Sequence, residues 1–71
     1  MEFIVEIASV PYRDGLVAEI CYDSEMVAEV HRSNSSSELE IEIYYNSASN
    51  WKFDVEDFFS AVKSAKTKLI D

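Results

Sequence analysis

In the run "ELEIEIYY", Glu38, Glu40 and Glu42 alternate with Leu39, Ile41 and Ile43. In an extended strand their three carboxylates leave one face together. Carboxylates held close to one another serve glycoside hydrolysis or bind calcium. Hydrolysis needs a cleft, and a chain of 71 residues has little volume to build one. Calcium sites mix carbonyl and carboxylate oxygens from loops, whereas these acids follow a strand pattern. One histidine, His31, and one cysteine, Cys21, give no zinc spacing. His31 has no oriented partner legible in the sequence, so a surface histidine is expected rather than a catalytic base. Cys21 lies between Glu19 and Asp23, which should raise its pKa and leave it an unreactive filler. The lone Gly15 excludes glycine-rich phosphate loops. The expectation is no enzyme, no cofactor and no metal site, and the charge itself becomes the feature to explain.

That charge is −8 and unevenly placed. Residues 1–51 carry ten acids against Arg13 and Arg32, whereas residues 52–71 balance four acids with four lysines. Phosphate binding is disfavoured on the first part, and a basic partner would be steered toward it. An apolar share of 48% with nine aromatics favours collapse over disorder. The single cysteine fits a reducing interior. The apolar run at the N-terminus contains glutamates and no basic segment, unlike a signal peptide, and no stretch is long enough to span a bilayer. A cytoplasmic single domain over residues 1–71 is expected.

The elements that must carry these acids follow from periodicity. Alternation predicts strands over 2–8, 16–22, 26–31 and 38–45, with room for a short fifth over 51–53. Pro11 ends the first strand, and Asp14-Gly15 reads as a two-residue hairpin turn. Val55, Phe58, Phe59, Val62, Ala65 and Leu69 recur at helical spacing and predict a helix over 55–69. Asp54 suits its N-cap, with Phe53 and Phe58 placed as a hydrophobic staple. The fold class is α+β: an antiparallel β-meander of four to five strands with one C-terminal α-helix packed on one face.

Register then places the acids. An Asp14-Gly15 turn sets Arg13 opposite Leu16, and a three-residue loop over 23–25 sets Glu19 opposite Glu29. His31 opposite Glu38 brings Glu29 against Glu40. The apolar residues keep to one face, which the helix covers, and the other face carries Glu6, Glu19, Glu29, Glu38, Glu40 and Glu42. A row Glu19–Glu29–Glu40 crosses three strands with no neutralising charge nearby, and like charges so opposed destabilise by roughly a few tenths of a kcal/mol per pair. Val17, Cys21, Val27 and Tyr44 stand among them as an apolar centre. A solvated polar face accounts for the alternation; it does not account for one sign of charge. Trp51 and Tyr45 are expected to close the core, with Trp51 otherwise an interface anchor.

The runs "VPYRDGLVAEICYDSEMVAEV", "ELEIEIYY" and "WKFDVEDFFSAV" resemble small acidic immunity proteins encoded beside bacterial polymorphic toxins, including contact-dependent growth-inhibition systems. The resemblance implies an inhibitor that binds one cognate toxin domain, often a nuclease, and covers its active or nucleic-acid-binding surface. The charge agrees, since nucleases hold phosphate with Lys and Arg. The partner-binding residues expected are Glu19, Glu29, Glu38, Glu40 and Glu42, with Tyr44, Val27 and Trp51 as anchors. The partner is a basic protein domain, with neither direct nucleic-acid binding nor a membrane involved. A nucleic-acid mimic and an oligomerising scaffold are the alternatives.

Overall fold

Alternating apolar and polar residues give four strands, and the helical spacing near the C-terminus gives one helix. The computed structural model describes residues 3–33, 38–44 and 51–70. Strands β1 (Phe3–Ser9), β2 (Leu16–Tyr22), β3 (Glu25–Arg32) and β4 (Leu39–Ile43) form an antiparallel sheet in the order β1-β2-β3-β4. Helix α1 (Val55–Ile70) lies mainly across β1 and β2. The expected α+β meander with one helix is the fold. Residues 51–53 form no strand; Trp51 and Phe53 pack against the core instead. Tyr45 lies outside the described residues.

Helix α1 starts as its sequence requires. The Asp57 amide donates to Asp54 Oδ2 at 3.0 Å, capping the first turn. The Phe53 and Phe58 rings stack with centroids 5.7 Å apart, which is the staple. Phe3 and Tyr22, paired across β1 and β2, join these rings at centroid separations of 4.8–5.7 Å. Such ring pairs contribute about 0.5–1.5 kcal/mol each beyond the area they bury. Beside them, Ala61 and Ala65 of the helix meet Ala18, Ile20, Ala28 and Val30 of the sheet, all buried. Small residues on both surfaces let helix and sheet approach closely. Val55 and Phe59 are mostly exposed, so the packed seam runs through Phe58, Ala61, Val62, Ala65 and Leu69. Helical spacing admitted Val55 and Phe59, but the apolar stripe is wider than the surface the sheet covers.

The first two hairpins differ from expectation at their turns. Ser9 pairs with Leu16, so residues 10–15 form a six-residue loop and β1 sits four residues from the register an Asp14-Gly15 turn would set. Within that loop the Arg13 amide bonds the Val10 carbonyl at 3.3 Å, a β-turn with Pro11 at its second position, where a fixed φ suits it. Gly15 has φ 84°, a conformation glycine tolerates best. The two-residue turn is at Asp23-Ser24, with φ values of 52° and 67°, as a type I′ turn needs, rather than a three-residue loop over 23–25. A bulge then restores the expected pairs Ile20–Ala28 and Glu19–Glu29. Val27 is the extra residue in that bulge, and it is fully buried in the core cluster under the helix, not among the acids.

In the last hairpin His31 pairs with Glu40, two residues from the expected partner Glu38. Shifts of four and two are even, so β1, β2 and β4 keep their expected inner and outer faces, and in β3 only the residues at the bulge, Met26 and Val27, change theirs.

Candidate functional site

The register assembles a carboxylate row one strand longer than expected. Glu6 pairs with Glu19, Glu19 with Glu29, and Glu29 with Glu42, so the row spans all four strands. Glu42, not Glu40, is its end; Glu40 pairs with His31 alongside.

The row is not uniformly open. Glu29 is fully buried, and so is Val17, an outer-face neighbour of Glu19 that stands apart from the core cluster. The loop over residues 10–15 brings two side chains to Glu29. Tyr12 Oη donates to Glu29 Oε2 at 2.7 Å, and Arg13 Nε donates to Glu29 Oε1 at 2.9 Å. Arg13 Nη2 continues to Glu42 Oε1, also at 2.9 Å, so one guanidinium spans two members of the row. Tyr44 Oη donates to Glu29 Oε2 at 3.3 Å. His31 Nδ1 lies 3.0 Å from Glu29 Oε1, and its Nε2 lies 3.3 Å from Glu40 Oε1.

This overturns the expectation that nothing neutralises the row. A carboxylate opposed to others on both sides would be destabilised, and burial without partners would cost more. Arg13 and two phenols supply the compensation. Burial alone would raise the Glu29 carboxyl pKa; the Tyr12 and Arg13 hydrogen bonds, the Arg13 charge and the Tyr44 hydroxyl outweigh it, and the group is held below its ordinary 4.5. The phenols move the other way. Tyr44 is pushed up by burial first and then by its bond to Tyr12 and the Glu29 charge. Tyr12 is pushed up by its bond to Glu29.

The remaining expected residues separate into displayed and enclosed. The side chains of Glu40 and Glu42 are 57% and 51% exposed, Glu38 is exposed and Glu19 is half-buried. Glu29 and Val27 are enclosed and cannot meet a partner in this state. Trp51 is half-buried against the core, its ring 5.4 Å from Phe53 and its Nε1 donating to the Tyr44 carbonyl at 3.2 Å. It therefore closes the core. Tyr44 is half-buried and occupied with Glu29.

His31, expected at the surface, is only 4% exposed. The Cys21 thiol pKa is raised by burial first, then by Glu19 and Glu6, so the expected direction holds while Asp23 takes no part. Tyr12 and Arg13 are the site residues sequence reasoning missed. The available signal was charge: Arg13 is one of two cations among the first 51 residues, and a guanidinium so outnumbered by ten acids should pair with the most desolvated of them.

Together the fold and site define a small α+β domain with one acidic sheet face, locked at its centre by an internal arginine. No known protein-family model matches the chain, and no curated protein and no solved structure is significantly similar to it. Among the described residues no helix is long and apolar enough to cross a membrane.

Proposed function

We propose that this chain is an immunity-type inhibitor, a non-enzymatic cytoplasmic module that binds and neutralises a basic toxin domain, a nuclease by preference. The observation that carries the reading is the outer sheet face. Five strand carboxylates (Glu6, Glu19, Glu29, Glu40 and Glu42) share it, and Arg13 pairs with two of them. Glu19, Glu38, Glu40 and Glu42 are the contacts offered to the partner's Lys and Arg. Glu29 acts from beneath, fixing Arg13 and so the shape of the face. A nuclease surface built to hold phosphate is the complement of such a field, and steering between the two speeds association. The resemblance of the chain's motifs to acidic immunity proteins points the same way.

The test is capture of the cellular partner at low salt, followed by measurement with the purified pair. Glu19→Lys with Glu40→Lys should lower the association rate and weaken binding at least tenfold at low salt, less at high salt. The partner's nuclease activity should fall when the wild-type chain is added. A partner bound equally by the reversed variant at every salt concentration would sink the acidic-face reading. Inhibition of many unrelated DNA-binding proteins would replace it with nucleic-acid mimicry.

A further inference from the structure

His31 is enclosed between two carboxylates, and its hydrogen bonding is incomplete. Nε2 is placed to donate to Glu40 Oε1 at 3.3 Å. Nδ1 is buried and has no hydrogen-bond partner, although Glu29 Oε1 lies 3.0 Å away. A neutral imidazole carries one N–H. With that proton on Nε2, on the side of Glu40, Nδ1 is left a buried acceptor without a partner, 3.0 Å from a carboxylate oxygen that has no proton to give it. Two acceptor atoms this close repel unless a cation stands near both.

The surroundings are those of a ligand set. Ligand atoms of Glu29, His31 and Glu42 lie within 4.8 Å of one another. In a tetrahedral site with bonds of about 2.0–2.2 Å, ligand atoms stand roughly 3.3–3.6 Å apart, so the Glu29–His31 pair at 3.0 Å would open slightly and the wider pairs would close onto the ion. Glu29 Oε2 is held by Tyr12 and Tyr44, which leaves Oε1 turned toward His31 and Arg13. A histidine ligand commonly donates its second N–H to a carboxylate, which fixes the tautomer, and Glu40 stands in that position. The Arg13 guanidinium already bridges Glu29 Oε1 and Glu42 Oε1, the place a cation would occupy.

We propose that Glu29, His31 and Glu42 form a binding site for one divalent transition-metal ion of the zinc class. Glu40 orients the histidine from the outer shell, and Arg13 is the competing internal cation. Imidazole with two carboxylates favours zinc-like ions over magnesium or calcium, which take oxygen ligands. Arg13 sits on a loop and is partly exposed, so it has a path out. The site is independent of any protein partner.

Titration calorimetry of the full chain with Zn²⁺ at pH 7.5, in a buffer that does not chelate, tests the assignment. One ion per chain should bind saturably. His31→Gln and Glu42→Gln should each weaken binding at least tenfold, and Arg13→Gln should tighten it severalfold. Glu42 is half-exposed, so its variant keeps the test decisive if the buried His31 change impairs folding. Zn²⁺ bound by Glu42→Gln as tightly as by wild type would show only adventitious binding to surface acids and overturn the proposal. Absence of saturable binding to both wild type and Arg13→Gln would overturn it as well.

Discussion

A buried carboxylate between two others has to be compensated or protonated, and Glu29 is compensated. Because its folded pKa lies below the ordinary 4.5, its ionised form stabilises the fold above that value. The contribution disappears as pH falls through the folded pKa. Glu29→Gln should therefore cost roughly 1.5–3 kcal/mol at pH 7, the range for hydrogen bonds to charged groups. Urea denaturation at pH 7 and at pH 3.5 checks it: the gap between variant and wild type should narrow in acid. In the sequence Glu29 looks like Glu19 or Glu42, each an acid at an outward strand position. What separates it is the arrival of Tyr12 and Arg13 from 17 and 16 residues away, which no local pattern encodes.

At the scale of elements, the hairpin signals were legible in kind and misplaced in position. Asp-Gly favours a tight type I′ turn, yet Asp14-Gly15 closes a longer loop, whose length lets Tyr12 and Arg13 fold onto the sheet. The tight turn fell to Asp23-Ser24, where serine sits at φ 67°. A left-handed conformation costs a side-chain-bearing residue roughly 1–2 kcal/mol. Ser24→Gly should thus stabilise the domain by about 1 kcal/mol, seen as a melting temperature raised by roughly 4–8 °C in a thermal scan. The helix start was fully readable, because cap and staple lie within six residues of one another. Its packed face was less so: spacing identifies an apolar stripe, and the sheet selects which part of that stripe is covered.

For the whole molecule, the acidic face opposes stability wherever Arg13 does not reach. Glu19 stands between Glu6 and Glu29. Glu19→Lys should relieve both pairings and stabilise the domain by roughly a few tenths of a kcal/mol per pair, measured by urea denaturation at low salt. The gain should shrink as salt is raised. A substitution that stabilises the fold and weakens partner capture separates recognition from solubility, because a merely solvating face has no partner affinity to lose. The sequence by itself determined the elements and, apart from the bulge at Val27, their faces, since alternation and helical spacing are local and a register error of two or four residues leaves a side chain on its own face. Only the tertiary structure decided which carboxylates stay open, because that depends on strand register and on one loop crossing the sheet. Those contacts join residues far apart in sequence, and through them Glu29 is enclosed while Glu40 and Glu42 remain at the surface.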